Sequence, residues 1–537
     1  MPQTDPRARR LPALTISLVI ALAIAAFPAA AAASSCQTSG PAGGSYAITV
    51  CLDEPAASAT LTGDTTVSGS TAAATGTAPA VQRLIFYVDG TYALTDYGAP
   101  YTFSLPTARW VDGSHRIEVE ALLRDGFTSQ RAGADVTFNN GVTTVPVNTK
   151  QWSPTSGTTP ATGKPFVLAA AGDGAGGETS EQTVVDRIKS WSPNLFLYLG
   201  DVYEKGAPTE FKNWYGSPSS TFYGQFRSIT DPVVGNHEYS SSAGAAGYFD
   251  FWDNIPHYYS FNANGWHFIA LDSTSQFGQT ASGSPMYNWL QNDLRTNRTT
   301  CMVAYWHHPP FNIGAEGYST RMDEIWNLLA SQHVAMALTG HDHDYQRWVP
   351  LDGTGNASSN GVTEFVAGTG GHSEQSFVGT DPRVAAAFSN TQFGALRMEL
   401  NSSGAAYQFV TAAGQRLDSG SVQCPGSPKD TTAPTTPSGL TATAKSRAEI
   451  DLSWNQSNDN VGVTGYDVYR NGSLLKSIGP DTTFVDGTVA SKSTYTYTVK
   501  ARDAAGHASP ASNSSSATTP ALGVLFYDGF ETNDLTQ

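Results

Sequence analysis

The sequence predicts a multidomain chain in which a central α/β domain lies between two β-sandwiches. In the middle of the 537 residues, buried apolar strands alternate with amphipathic helices. Both flanks instead alternate apolar and polar residues between Gly-containing turns, which is typical of antiparallel sheets. Two stretches rich in Pro, Thr and Ser, residues 149–164 and 425–437, separate the three parts and are expected to be linkers.

Composition and charge limit the classes of function. Charged residues make up 14% of the chain and the net charge is −16, whereas about 25% charged is average. An acidic surface repels phosphate polymers unless a local cation reverses the field, so no nucleic-acid-binding or acidic-membrane-binding surface is expected. Aromatic residues, at 11%, provide enough apolar area for burial to exclude a wholly disordered chain.

Residues 1–33 have the pattern of a secretory signal peptide. Three arginines precede an apolar run over residues 11–27, and alanines follow over 29–33. A membrane anchor is the alternative, because the run approaches spanning length. The alanine-rich end favours cleavage, which removes three Arg and one Asp and changes the net charge from −16 to −18. The chain is therefore expected to be secreted, with no membrane span after cleavage.

The four cysteines are consistent with export to an oxidising compartment. Cys36, Cys51, Cys301 and Cys424 allow three pairings. We expect Cys36–Cys51 and Cys301–Cys424, because each pair then lies within one domain. None has the spacing of a zinc or redox motif, so a structural role is predicted.

Residues 36–147 read as a β domain that looks like a small immunoglobulin-type sandwich. Leu84, Phe86 and Val88 alternate before an Asp89-Gly90 turn.

Residues 433–518 resemble a fibronectin type III domain. Trp454, Tyr466 and the alternating Tyr495, Tyr497 and Val499 have the spacing of sandwich strands. Residues 519–537 are too short to fold alone and are expected to begin a further, incomplete segment.

The central region, residues 165–424, has its own order of elements. Ser284 followed by Pro285 predicts a helix start, because Pro suits the first helical turn. The predicted elements are strand 166–171, a helix around Val184 and Ile188, strands 195–199 and 268–271, the helix after Ser284, strand 302–305, a helix around Ile325, and strands 334–338, 365–367, 396–400 and 407–410.

Five polar blocks follow apolar strands of this region. They are Gly172-Asp173-Gly174, Gly200-Asp201-Val202-Tyr203, Gly235-Asn236-His237-Glu238, His307-His308-Pro309 and Gly340-His341-Asp342-His343. Each block alone is typical of a turn, but five in succession predict a site for two metal ions. Oxygen and imidazole ligands without thiolate suit Fe, Zn or Mn.

The five blocks resemble the calcineurin-like metallophosphoesterase superfamily, and within it the purple acid phosphatase-like group. The resemblance covers residues 165–424, and Gly-Asn-His-Glu and Gly-His-x-His are its most specific parts. It implies an α/β metallophosphoesterase fold, a four-layer β-sandwich flanked by helices.

The resemblance also implies a role for each residue of the blocks. Asp201 would bridge both metals, and His237 would be the general acid that faces the substrate. The remaining ligands would be Asp173 and His343 for the first metal, and Asn236, His307 and His341 for the second, with His308 as the alternative to His307.

Two positions depart from the family pattern. Many members have His two residues after the first Asp, where this chain has Ala175. Purple acid phosphatases have Tyr three residues after the second Asp, where this chain has Glu204, and Tyr203 lies one step early. The first metal therefore has three ligands from the pattern, completed by Tyr203, another residue or water.

The activity implied is that of a secreted, acid phosphatase-like hydrolase of phosphomonoesters, in which a metal-bridging hydroxide attacks phosphorus in line. A phosphodiesterase or nucleotidase on the same site is the alternative. A non-catalytic cell-surface binding protein is the third hypothesis. The β modules are expected to contact the cell wall or a polysaccharide.

Overall fold

A computed structural model describes residues 35–240, 244–297, 299, 301–389, 393–425, 431–459, 462–503 and 505–521. The predicted signal peptide, residues 1–33, lies outside the described residues. So do residues 522–537 of the predicted tail.

The N-terminal part is a two-sheet β-sandwich, with sheets ordered β1-β2-β4-β7 and β3-β9-β8-β5-β6. Alternate side chains of the strands meet in one apolar core between the sheets. Its strands are β1 Ser35–Ser39, β2 Ala47–Glu54, β3 Thr60–Leu61, β4 Asp64–Thr75, β5 Val81–Val88, β6 Thr91–Asp96, β7 Tyr101–Pro106, β8 Gly113–Leu123 and β9 Ala132–Phe138.

The central part contains two sheets, ordered β11-β10-β19-β20-β21 and β12-β13-β14-β15-β17-β16-β18. Its strands are β10 Phe166–Ala171, β11 Leu195–Tyr198, β12 Tyr259–Ala263, β13 Trp266–Ala270, β14 Cys301–Tyr305, β15 Met336–Thr339, β16 Tyr345–Trp348, β17 Thr363–Ala367, β18 Val384–Phe388, β19 Gly394–Leu400, β20 Gly404–Thr411 and β21 Arg416–Gln423. Its α-helices are α1 Thr179–Ser190, α2 Pro208–Glu210, α3 Ala246–Phe251, α4 Pro285–Thr296 and α5 Asp323–Ser331, and a π-helical turn, Phe211–Tyr215, continues α2.

The period of two along the strands explains the layers. In β14, Val303 and Tyr305 face the core shared with the five-stranded sheet. Met302 and Ala304 between them face the core that includes residues of α4 and α5. The centre of the seven-stranded sheet is thus buried on both faces, which is why strands such as β14 and β15 read as continuous apolar runs. The four-layer arrangement expected of the central domain is confirmed.

Local signals place α4 as predicted. Ser284 precedes the helix with extended backbone, and its Oγ accepts a hydrogen bond from the backbone N–H of Tyr287 at 3.3 Å. Met286 and Leu290 are fully buried.

The C-terminal part is a second two-sheet sandwich, with sheets ordered β22-β23-β26 and β25-β24-β27-β28. Its strands are β22 Ser438–Ser446, β23 Glu449–Asn455, β24 Val463–Arg470, β25 Ser473–Ile478, β26 Thr483–Asp486, β27 Thr494–Asp503 and β28 Ser515–Thr518. Trp454, Tyr466 and Tyr497 lie in its core.

Both expected disulfides are confirmed. Cys36 pairs with Cys51 within the N-terminal sandwich, and Cys301 pairs with Cys424 within the central domain. Among the described residues, we find no helix with the length and apolarity that a membrane crossing requires.

Candidate metal centre

The predicted site residues converge because parallel strands of both central sheets end at one place. β10 pairs in parallel with β11, and β14 pairs in parallel with β15. Asp173 and Asp201 follow the first pair, and His307 and His341 follow the second. One ligand atom from each of Asp173, Asp201 and His307 lies within 4.8 Å of the others.

The backbone at these strand ends is unusual in a way that serves the site. Asp173, Asp201 and His341 have φ values of 60°, 67° and 70°. Such left-handed values are uncommon for residues other than Gly and concentrate at functional sites. A neighbouring glycine is required by close approach, since a Cβ at Gly235 would lie 2.1 Å from Asp201 Oδ1.

Tyr203 lies in the first half of the site. Its hydroxyl is 2.9 Å from Asp173 Oδ1 and 3.2 Å from Asp201 Oδ2. It is also 2.8 Å from His343 Nε2. The loop after Asp201 therefore absorbs the one-residue shift relative to the family pattern, and the phenol oxygen reaches the carboxylates.

The second half of the site is built around His307. Its Nε2 is 3.2 Å from Asp201 Oδ2 and 3.0 Å from Asn236 Oδ1. Its Nδ1 is 2.8 Å from the Leu199 carbonyl, which orients the ring with Nε2 toward Asp201. The His307 and His341 rings are 4.9 Å apart.

His308 also lies beside this group. One ligand atom from each of His307, His308 and His341 lies within 4.8 Å of the others. However, His308 Nδ1 is 2.9 Å from the hydroxyl of Ser273, and its backbone N–H donates to that same oxygen. Both adjacent histidines thus border the site, each held by a different partner.

His237 lies at the solvent-exposed side of the site. Its backbone N–H donates to Asp201 Oδ1 at 2.9 Å, and its Nδ1 is 2.6 Å from the backbone carbonyl of Glu204. Its Nε2 is 4.0 Å from Asp201 Oδ2. With a side chain 30% exposed, it is the most accessible histidine of the five blocks whose ion pairs are described.

Burial and mutual charge shift the pKa of several buried groups of the site. Burial raises the pKa of Asp173 to about 7. Burial disfavours a charged His307, yet the Asp201 and Asp173 carboxylates raise its pKa to about 10. Burial, reinforced by neighbouring histidines, lowers the pKa of His341 to about 3 and that of His343 to about 4. These two imidazoles are therefore neutral, with lone pairs available to a cation.

This donor set fits metal ions. Buried carboxylates require positive charge nearby, and neutral imidazoles beside them supply the remaining ligand atoms. Asp173, Asp201 and His343 with Tyr203 offer one group of donors. Asp201 with Asn236, His307 and His341 offers a second group.

Sequence reasoning missed His372, which follows β17 after Gly370-Gly371. Its ring stacks on Tyr203, with centroids 3.8 Å apart at an interplanar angle of 22°. Its Nδ1 is 2.5 Å from Glu178 Oε1. The signal was available, because a Gly-His pair after a buried strand is the pattern of the fifth block.

Comparison with known proteins agrees with this architecture. Residues 168–345 match the sequence model of the calcineurin-like phosphoesterase family, and residues 49–119 match that of the bacterial Ig domain. The C-terminal sandwich is similar to fibronectin type III-like modules.

Individual relatives match parts of the chain. The "probable purple acid phosphatase 20" of Arabidopsis thaliana is 28% identical over 222 residues, 35% of this chain and 48% of the relative. "Chitinase Chi52" of Paenibacillus xylanexedens is 53% identical over 90 residues, 17% of each protein. The structure of purple acid phosphatase PPD1 from yellow lupin (Lupinus luteus) has a TM-score of 0.41 and 13% identity, and covers 71% of this chain and 72% of its own. The chain thus spans less than half the length of these two curated relatives.

Proposed function

We propose that this chain, whose residues 168–345 are a calcineurin-like phosphoesterase domain, is a two-metal hydrolase of phosphomonoesters. The observation that carries the proposal is the convergence of side chains from all five sequence blocks in one small site. Two buried carboxylates, several imidazoles and one exposed histidine are the groups that hydrolysis of a phosphate ester requires.

The proposed ligands divide between two cations of the Fe, Zn or Mn type. Asp173, His343 and Tyr203 would hold the first, Asn236, His307 and His341 would hold the second, and Asp201 would contribute to both. When bound, the two metals supply positive charge to the phosphoryl oxygens and acidify the attacking water.

The chain's own contribution to bond cleavage is assigned to His237. Its Nδ1–H donates to the Glu204 carbonyl 2.6 Å away, which leaves Nε2 at the exposed side to carry the proton for the leaving oxygen. Asp201 accepts from the His237 backbone N–H at 2.9 Å and so keeps the acid beside the bridging carboxylate.

A phosphodiester or nucleotide substrate is the second candidate, and one contact favours the phosphodiester. Glu316 Oε2 lies 4.0 Å from His341 Nε2, and this carboxylate is 41% exposed. The negative charge of Glu316 would repel a dianionic monoester more strongly than a diester, which carries one negative charge fewer. A panel of mono- and diesters at equal metal loading separates the two.

The β modules and the disulfides support a location outside the cytoplasm. Disulfides persist in oxidising compartments, and both pairs are formed here. The match to a chitinase over 90 residues supports a polysaccharide contact through a β module, with chitin as the probe.

The decisive experiment changes His237 to Ala and measures two substrates and the bound metal. An alkyl phosphate needs protonation of its leaving oxygen, so we expect a loss of roughly 10²-fold or more in kcat. A nitrophenyl phosphate leaves as a stable anion and should lose clearly less. Metal content should remain near that of the unchanged chain, because His237 is assigned outside the ligand set.

His507→Ala is the matched control. The Nδ1 of this histidine also faces an oxygen acceptor, here the Asp503 carboxylate at 2.9 Å, and its side chain is 36% exposed, but it lies in the C-terminal sandwich. It should alter neither substrate. Equal losses on both esters after His237→Ala would contradict the general-acid role, and full activity of Asp201→Asn with full metal content would contradict the site itself.

A further inference from the structure

The N-terminal sandwich reaches the segment that follows Asp201. The Tyr97 hydroxyl contacts the Glu204 carboxylate, and Arg83 Nη1 lies 3.7 Å from the same oxygen. The Tyr92 hydroxyl contacts the carboxylate of Glu210 six residues further on. Two tyrosines of one sandwich therefore touch both ends of a short segment of the central domain, residues 204–210.

Glu210 transmits its contact to the backbone of this segment. Its carboxylate accepts hydrogen bonds from the N–H groups of Glu204, Lys205 and Ala207 at 2.5, 3.0 and 2.9 Å. It is fully buried, so these bonds do not compete with water. Burial and the Glu210 charge hold the pKa of Tyr92 well above its usual range, so its hydroxyl remains a donor at neutral pH.

The same segment carries the group that orients His237. The Glu204 carbonyl is the partner of His237 Nδ1 at 2.6 Å. The Glu204 side chain is held by Tyr97 and lies 3.5 Å from His372 Nε2. His372 in turn stacks on Tyr203. The N-terminal sandwich is thus connected to the His237 ring through a single residue.

Docking of the two domains is firm enough to support such a role. Trp214 of the central domain belongs to the apolar core of the N-terminal sandwich and is 8% exposed. Its Nε1 donates to the Thr95 carbonyl at 3.2 Å. Asn213 exchanges two hydrogen bonds with the Ser104 backbone, both at 2.9 Å. The N-terminal sandwich is therefore packed against the central domain, and this packing fixes the positions of Tyr92 and Tyr97.

We propose that Tyr92 and Tyr97 are positioning residues, supplied by the N-terminal sandwich, that aim the His237 imidazole at the leaving oxygen by holding the Glu204 turn. The proposal rests on the proposed function, because it assumes that His237 is the general acid. Without the two hydroxyls, the Glu204 carbonyl loses its fixed position and the His237 ring loses its orientation. Protonation of the leaving group then slows, while metal binding is unchanged.

The test is a Tyr92→Phe/Tyr97→Phe variant of the full chain, assayed with an alkyl phosphate and a nitrophenyl phosphate. We expect kcat for the alkyl ester to fall by roughly tenfold or more, since general acids contribute about 10²–10⁴-fold. The nitrophenyl ester should lose less than about threefold. KM and metal content should stay near those of the unchanged chain.

Tyr46→Phe/Tyr87→Phe is the matched control. These tyrosines belong to the same sandwich, and each hydroxyl also donates to a carboxylate, Asp125 at 2.6 Å and Glu120 at 2.5 Å. Both partners lie within the sandwich, so this variant reports on its stability alone. Neither ester should respond. Equal losses on both esters in the test variant, or a selective loss in the control, would overturn the proposal.

Two further measurements separate this proposal from the proposed function. His237→Ala alone decides whether His237 is the acid. Combined with Tyr92→Phe/Tyr97→Phe, it should show no additional loss on the alkyl ester, and an additive loss would overturn the positioning role. A crystal structure of the tyrosine variant shows directly whether the His237 ring keeps its orientation. If His237 Nδ1 still lies beside the Glu204 carbonyl, the proposal is wrong, even if the enzyme is a phosphatase.

Discussion

Two β-sandwiches flank the central domain, and they meet it in different ways. The N-terminal sandwich takes Trp214 into its own core and contacts the segment after Asp201. The C-terminal sandwich is joined to the central domain through polar side chains, with Arg416 Nη1 2.6 Å from Asp481 Oδ2 and Gln456 Nε2 2.7 Å from Glu399 Oε2. The N-terminal interface thus combines a buried aromatic side chain with hydrogen bonds, whereas these contacts of the C-terminal sandwich are polar and more exposed.

The order of the five-stranded sheet explains the difference. β11 and β10, which lead to Asp201 and Asp173, lie at one side of the sheet. β19, β20 and β21 lie at the other side, where the C-terminal sandwich makes its contacts. Modules of similar architecture therefore differ in consequence according to the part of the central domain that they contact, which is the segment after Asp201 for one and strands β19 and β21 for the other. The N-terminal sandwich therefore contacts the segment that borders the candidate site, whereas the described contacts of the C-terminal sandwich lie on strands away from it.

Removal of residues 35–147 should have the largest effect. Loss of this sandwich exposes Trp214 and frees Glu204 and Glu210, so we expect turnover of an alkyl phosphate to fall at least about 10²-fold. Turnover and far-UV circular dichroism of the shortened chain measure the effect and its folding. Undiminished turnover of the shortened chain would contradict a role of the N-terminal sandwich in shaping the site.

Trp214→Ala should have the next largest effect. Truncating a buried Trp costs about 3–5 kcal/mol, and here the lost packing lies between two domains. We expect a lower unfolding temperature by calorimetry and a lower turnover, because the support of the tyrosines loosens. Trp191→Ala is the control, since Trp191 is only partly buried and lies outside this interface. Similar losses in both variants would contradict a special role for the N-terminal interface.

Removal of residues 433–537 should have the smallest effect on catalysis. The C-terminal sandwich has its own core and meets the central domain through polar contacts that are worth little. We expect turnover of a small soluble ester to stay within about threefold. Retention on insoluble chitin, measured in parallel, should fall if this module binds polysaccharide. A collapse of turnover in a folded protein would show that both sandwiches shape the site.

Much of the central domain follows from local patterns. Continuous apolar runs predicted the strands whose ends carry Asp173, Asp201, His307 and His341, because burial on both faces leaves no polar position. The strands that escaped prediction were β12, β16, β18 and β21. β12, β18 and β21 lie at sheet edges, and β18 and β21 are only partly buried, so their apolar signal is weak.

The sequence by itself determined the order of the domains and the residue types of the candidate metal site, because each depends on periodicity or on chemistry within a short segment. It predicted the disulfide pairs only through the domain boundaries, since Cys301 and Cys424 lie 123 residues apart in the chain. Tertiary structure alone decided that the Tyr203 hydroxyl reaches Asp173 and His343 despite its shifted position. It alone decided that Tyr97 meets Glu204, 107 residues away in the chain. Side-chain direction in a loop and contacts between domains depend on packing across the whole molecule, and no local pattern encodes them.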